Sequence, residues 1–516
     1  MNNRLAILLS MAMFVFVIDT AFMNVSISAI IKDIDASVSG VQTAVALEAL
    51  VSAAFILIGS KVGDLIGRKR AFIIGIASYS LGALSMTVAQ SLVPIIIFWS
   101  IIGGMGASLY LPAMQSLIHG NFEGVAQRKA YAIVGASAAI ATAVGPLIGG
   151  FITTFLSWRV GFLVEAIVIG IVLLNVKLIK DVPFTGKKQI DFIGSLLSVI
   201  GMGGIVLSIL IWQEGGESVV LFLAVGIIAL DGLVYWLVKR KRQNKSMLLD
   251  PNLFKSKIFR LGITQQMMQQ ISLGGMMIAL PIYLQMVFEY NALQAGLSLS
   301  PLSLSMFLIA LIAGKKAGNM RPGRIVQTGF LLLVLGILLL IATIPRSGTG
   351  WNLILPLLLS GSGLGLLVSQ LNNYTLSPIA EKHVSEAAGV NSASGSFGLS
   401  FGLAFAGAIM LATLAFSFTN LSASSTVLSP SQQVQVADSL DKDAQIMSNT
   451  QLQKQLESQS LLTQQEILDI NTTARHRALQ VALLIPLAAT LFGLINSIRM
   501  LKMPDPKPSS TTMALG

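Results

Sequence analysis

The sequence predicts an all-α polytopic membrane protein, two six-helix bundles with two further helices inserted between them, about fourteen transmembrane helices in total. Composition is the first reason. The chain has 516 residues, of which 54% are hydrophobic and 11% charged. A soluble domain carries about 25% charged residues, so this chain cannot cover a water-facing surface. The second reason is length: apolar runs of the ~20 residues that a helix needs to cross a bilayer recur along the whole chain. The third is that lysines and arginines gather in alternate short connections, as the positive-inside rule requires.

Taken in order, the runs fall at 5–29, 41–60, 71–90, 94–117, 131–154, 159–178, 191–212, 218–238, 261–287, 294–313, 325–344, 352–376, 387–416 and 476–498. The first opens like a secretory leader, Arg4 before an apolar core, but continues past Asp19 to Ile31 and reads as a span. With the N-terminus in the cytoplasm, the loops holding Arg68, Arg128, Lys187, Lys239, Lys315 and Lys382 are all cytoplasmic. Of the 34 Lys and Arg residues, Lys32, Arg159, Arg346, Lys442, Lys454, Arg475 and Arg477 alone fall elsewhere. Both termini are expected inside, in the cytoplasmic membrane of a cell.

Two segments interrupt the pattern. Residues 181–258 hold a helix pair between basic loops, which leaves a six-helix bundle over 1–180 and a second over 259–516. Residues 417–475 form a polar stretch that cannot lie in lipid. Its Leu452, Leu456, Leu461, Ile467 and Leu468 suit short amphipathic helices on the external face.

The most specific motif is GSKVGDLIGRKR, from Gly59 to Arg70, between the second and third runs. Two helices joined this closely make a tight hairpin. Gly63 and Gly67 permit a sharp turn and close approach, and Asp64 can pair with an arginine or a helix N-terminus. GKKAGNMRPGR, from Gly314 to Arg324, takes the same place in the second half, a weak internal repeat. The loop resembles the signature loop of the major facilitator superfamily, whose fold is two parallel six-helix bundles. DTAFMNVSIS at Asp19, with Asn24, GPLIGG (Gly145, Pro146, Gly149, Gly150), SWRVGFLVE, LPIYLQMV with LQAG, and EAAGVNSASGSFG around Asn391 are similar to motifs of its 14-span drug:proton antiporter family. The resemblance implies that Gly63, Asp64, Gly67, Arg68 and the glycine-proline motif serve the conformational cycle. It departs at Ser60, Leu65 and Ala141, at Glu48, where tyrosine is usual, and at Ser100, where the family carries an arginine linked to proton coupling.

A carboxylate at the bilayer centre costs about 2.5–3.5 kcal/mol, so intramembrane acids face a cavity or a partner. At about 1.5 Å per residue, Asp19 and Glu48 share nearly one depth and are the candidates for proton and substrate coupling. Glu165, nearer the outer end, is a secondary acid that can also pair with Arg159. Asp231 of the inserted pair reads as a capping or snorkelling residue. Gln265, Gln269 and Ser272 share one helix face, as do Gln370 and Asn373. These amides, with Asn24 and Asn391, are candidates to line a substrate path or to bond neighbouring helices. The methionines Met267, Met268, Met276 and Met277 suit an adaptable apolar surface or plain filling.

The reading is therefore a transporter and not an enzyme: a proton-coupled exporter of amphipathic, cationic small molecules working by alternating access. Export of a lipid or a specific metabolite is the alternative, and a non-transporting scaffold or sensor a distant third. No G-x-x-x-x-G-K-[ST] loop occurs, which disfavours ATP as the energy source. The chain has no cysteine, and its three histidines lack metal-ligand spacing. No cofactor, metal or nucleic acid is expected. Protons, a small-molecule substrate and the bilayer are the partners, with the chain acting as a monomer.

Overall fold

A computed structural model describes residues 3–503, leaving aside 123, 182–190, 214–215, 244, 246, 317–320, 347, 380–383 and 444–448. Helices account for its architecture. The first half holds α1 (Asn3–Ile34), α2 (Val38–Ile66), α3 (Arg68–Val88), α4 (Leu92–Ile118), α5 (Gly124–Phe155) and α6 (Trp158–Leu174). The inserted pair is α7 (Phe192–Gln213) and α8 (Val219–Arg242). The second half holds α9 (Lys257–Met286), α10 (Ala292–Lys316), α11 (Pro322–Thr343), α12 (Ile354–Leu376) and α13 (Val384–Ser424). Beyond α13 come α14 (Pro430–Asp443) and α15 (Asn449–Gln455), then α16 (Leu461–Ala482) and α17 (Leu484–Leu501), which cross together as the last span.

Among the described residues, 13 helices are long and apolar enough to cross a membrane, α16 and α17 counting as one. The sixth, α6, has 17 residues, at the short limit of about 17 for a span. With it the count reaches the expected fourteen. Asn175 ends α6 earlier than the apolar run suggests, with a 3-10 turn over Val176–Leu178.

The two halves repeat one packing scheme. In the first, α1 lies on α5, α4 on both α2 and α3, and α3 on α6; in the second, α9 lies on α13, α12 on both α10 and α11, and α11 on α17. The halves meet along two seams, α2 with α13 and α5 with α10. Of the inserted pair, α7 lies over the α2–α13 seam, while α8 is largely exposed.

One buried carboxylate anchors that pair. Asp191 accepts N–H bonds from Gly194 (3.0 Å), from Trp236 of α8 (2.8 Å) and from Leu248 (3.2 Å), with Arg240 at 3.7 Å. The following linker is tied to α13, where Glu386 accepts the Asp250 N–H at 2.5 Å. Asp231, by contrast, is exposed on α8.

The polar stretch before the last span is helical over most of its described length. It is fastened to the end of α9: Arg475 donates to the Met286 carbonyl (3.1 Å) and to Asn471 (3.0 Å). A cation at a helix C-terminus satisfies an orphan carbonyl and complements the dipole. Glu289, in the left-handed region at φ 56°, accepts from the Thr450 N–H (2.7 Å) and hydroxyl (2.6 Å).

Candidate functional site

The intramembrane acids gather, with Glu165 joining Asp19 and Glu48. Asp19 on α1 and Glu165 on α6 are neighbouring buried carboxyls, and Glu165 Oε2 has no hydrogen-bond partner. Two carboxyls this close can bond only by sharing a proton. The Tyr79 hydroxyl of α3 donates to Asp19 Oδ2, and the Trp99 indole N–H of α4 reaches both Asp19 oxygens at 3.3 and 3.2 Å. The whole group is buried. No lysine or arginine pairs with either carboxyl among the described residues.

A glycine one turn away explains the pairing. A Cβ on Gly161 would collide with the Phe22 ring, and Gly161 is therefore what lets α1 and α6 close together. Asp19 lies three residues before Phe22 and Glu165 four after Gly161, so the acids meet on the next turn. Arg159, the other candidate partner for Glu165, instead binds Asp33 and the Ala89 carbonyl at 2.5 Å, and Trp158 also donates to Asp33 at 3.1 Å. It points away from the acids.

Glu48 borders this group without bonding to Asp19. Its Oε1 is buried and has no partner, as is the Tyr110 hydroxyl on α4. Aromatic rings pack beside this group: Tyr79 and Tyr110 lie 5.7 Å apart, and Phe16 lies 6.2 and 6.4 Å from them. Ring faces beside carboxyls suit an organic cation, which gains from both.

Ser100, in the position of the family's arginine, is fully buried and donates to the Ala44 carbonyl of α2 at 2.7 Å. It sits in a π-helical stretch, Ile95–Gly103, that also carries Trp99. π-Helical turns are rare and concentrate at functional sites.

The GPLIGG motif presents two faces. Gly145 and Gly149 meet Ala21 and Phe22 of α1, whereas Pro146 meets Gly296 and Gly150 meets Ala292 and Leu293 on α10, across the seam. The Leu293 N–H also donates to Thr154 at 3.0 Å. The i, i+4 spacing of each pair puts one on each side of α5.

In the signature loop, Asp64 pairs with Arg68 at 3.3 Å, within the hairpin, because one helical turn already brings them together. Gly67 has φ 97°, a conformation that favours glycine, and its N–H reaches the Gly63 carbonyl. The contact with a helix end falls to Asp181, whose Oδ1 accepts the Lys69 N–H of the first turn of α3 at 3.0 Å.

The amide candidates are scattered, and share one property. Asn24 Oδ1, Gln265 Oε1, Gln269 Oε1, Gln370 Oε1 and Asn391 Oδ1 are all buried acceptors with no donor. Their amide nitrogens are engaged where a bond is seen: Asn24 to Thr20 (2.8 Å), Gln265 to the Gly493 carbonyl of α17 (2.9 Å), Gln370 to Ser369 (3.4 Å) and Asn391 to Asn372 (2.7 Å). Gln265 thus bonds a neighbouring helix of its own half, and Ser272 reaches the Pro486 carbonyl at 3.4 Å. The Asn373 side chain lies outside the described residues, as do 317–320 of the second-half loop.

Tyr79, Trp99, Asp181, Asp191 and Arg475 were not singled out from the sequence. For Tyr79 and Trp99 a signal exists: a buried phenol or indole needs a partner for its polar atom.

The comparisons agree with this architecture. The actinorhodin transporter of Streptomyces coelicolor, described as probable, is 24% identical over 412 residues, covering 77% of this chain and 70% of that protein. The multidrug resistance protein Stp of Mycobacterium tuberculosis is 26% identical over 410 residues (78% and 75%). The puromycin resistance protein pur8 of Streptomyces alboniger is 27% identical over 403 (76% and 78%). Two solved structures share the fold: a bacterial homologue of the human lysosomal transporter Spinster (TM-score 0.62, 12% identity, 98% of this chain and 99% of that one) and a peptide transporter POT (0.61, 12%, 97% and 96%). With the Major Facilitator Superfamily family model matching residues 9–403, the chain belongs to that superfamily of membrane transporters.

Proposed function

We propose that the protein is a proton-driven exporter of amphipathic, cationic small molecules in the cytoplasmic membrane, with both termini in the cytoplasm. The observation that carries this reading is the buried Asp19–Glu165 pair, with aromatic rings packed beside it and no lysine or arginine paired with it among the described residues. A lone carboxylate there needs a proton or a cation to be tolerated. Proton and cationic substrate therefore compete for one site, and mutual exclusion is sufficient for antiport by linkage. Unsatisfied acceptors on Asn24, Gln269, Gln370 and Asn391 would receive donors on the substrate. The names of the relatives, two of them resistance proteins, support drug export.

Alternating access would rock the half 1–180 against the half 259–516 along the two seams, with 181–258 peripheral and the signature loop holding one of the two states. The energy available is about 2.3 kcal/mol per charge per 100 mV, besides the pH term. Ser100 in place of arginine, together with the actinorhodin transporter among the relatives, supports a second reading, export of a specific metabolite or lipid.

One experiment tests both readings: uptake into inside-out vesicles under an imposed pH gradient, with a panel of cationic dyes and fluorescent lipids. Gradient-dependent dye uptake is expected. Uptake of lipids alone would transfer the assignment to the second reading, and uptake of neither would remove both.

A further inference from the structure

We infer that Trp99 and Ser100, neighbours on the π-helical stretch of α4, are positioning residues that tie the occupancy of the Asp19–Glu165 pair to the seam between the two halves. The inference rests on the coupling site proposed above.

Three contacts make the connection. Trp99 donates to Asp19 at 3.2 Å. Ser100, the next residue, donates to the Ala44 carbonyl of α2 at 2.7 Å. Two residues along α2, the Ala46 carbonyl accepts the Ser400 hydroxyl of α13 at 2.6 Å, and that bond is buried at the seam. Just beyond the π stretch, α4 and α2 pack backbone to backbone: a Cβ on Gly104 would stand 2.8 Å from the Glu48 carbonyl. A rotation of α4 here therefore moves α2.

The π stretch supplies a discrete alternative state. It spans nine residues, far beyond the single turn in which such geometry is usually held. Returning one turn to α-helix changes the register by one residue, about 100° at 3.6 residues per turn. Trp99 and Ser100 cannot then both keep their present partners. The bond from Trp99 to an ionised carboxylate is charge-assisted and roughly twice as strong as one to a neutral carboxyl. Loading the site with a proton weakens that hold and releases the register; a cation competes for the same oxygens. The other polar groups facing Asp19 are Tyr79 from α3 and Glu165 from α6, with Glu48 from α2 and Tyr110 from α4 at the edge of the cluster. None of these is a cation that could replace the missing arginine. Ser100 is fully buried, leaving an arginine side chain no room at this position.

The test uses the full chain in proteoliposomes with ethidium as probe, comparing uphill accumulation under a pH gradient with equilibrium exchange without one. Trp99→Phe keeps the ring and removes the N–H. It should lower uphill accumulation about tenfold, a typical coupling magnitude, lower exchange far less, and flatten the pH profile of exchange. Ser100→Ala should act in the same direction, and Ser100→Thr, which keeps the hydroxyl, should restore coupling; this pair carries the test if Trp99→Phe does not fold. Full uphill accumulation by Trp99→Phe, or Ser100→Thr no better than Ser100→Ala, overturns the inference. Asp19→Asn run in parallel separates the two levels. If it abolishes uphill transport while Trp99→Phe does not, this inference fails and the proposed function stands. If Asp19→Asn also transports uphill, the coupling site itself is wrong.

Discussion

Pro146 of α5 and Gly296 of α10 meet across the seam between the two halves, so closely that a Cβ on Gly296 would collide with the Pro146 carbonyl. One turn further along α5, a Cβ on Gly150 would stand 2.5 Å from the Ala292 carbonyl. This seam closes only because both helices are bare of side chains where they touch. Gly150→Ala and Gly296→Ala are therefore expected to wedge it open and to favour the conformation in which these ends are apart. The chain lacks cysteine, so a single cysteine placed at Leu293 reports the shift directly. Its labelling by a membrane-impermeant maleimide should rise several-fold, and unchanged labelling would mean that the seam tolerates the extra carbon.

The acid pair makes an ordered prediction about three carboxyls. Asp19→Asn is expected to abolish pH-driven export of monovalent dyes while the protein still folds, and Glu165→Gln to lower it about tenfold. Glu48→Gln should have a smaller effect, since Glu48 borders the pair without bonding to it. Dye export in everted vesicles is the measurement. An effect of Glu48→Gln larger than that of Glu165→Gln would restore the Asp19–Glu48 pairing expected from helix depth.

The signature loop divides its labour between two acids. Asp64→Asn loses the ion pair with Arg68 and should slow turnover more than it weakens equilibrium dye binding. Asp181→Ala removes the acceptor from the first turn of α3, a contact worth about 0.3–1 kcal/mol at a helix N-terminus. Its signature is faster hydrogen exchange at the start of α3, and exchange confined to other segments would exclude the capping role.

Arg475 locks the polar insertion onto α9. Because it satisfies the Met286 carbonyl from a buried position, Arg475→Gln should cost about 1.5–3 kcal/mol of local stability, the range for hydrogen bonds to charged groups. Exchange of the amides in 287–290 and 461–475 is expected to rise together. Replacing 425–474 by a tight turn then asks whether this segment serves export: slower efflux with normal binding supports a role at the exit, and unchanged efflux leaves it an inert loop.

The inserted pair separates a structural acid from an idle one. Asp231 is exposed on α8, and Asp231→Asn should leave dye export near wild type. Asp191 accepts three N–H groups at the end of the pair, so Asp191→Ala strands buried donors at about 1–3 kcal/mol each. A lowered thermal midpoint with normal turnover per folded molecule is the expected pattern.

Helix number and placement were readable from the chain because hydropathy is a local property. A run of ~20 apolar residues must satisfy its backbone internally wherever it lies in lipid. The six-plus-two-plus-six order, the hairpin at Gly67 and the depth of Asp19 follow from such local rules. Glu165 was visible as an acid at a shallower level, but its partner was not. Which of two acids faces Asp19 depends on how α1 and α6 are rotated and how closely they approach, and the Phe22–Gly161 contact sets both. Apolar periodicity could not assign Trp99 to Asp19 either, since it carries no information about a bond made eighty residues away. The departure from α-helical register at Ile95–Gly103 belongs to the same class: it arises from neighbours competing for one helix, and it exists only once α1, α2 and α4 are packed together.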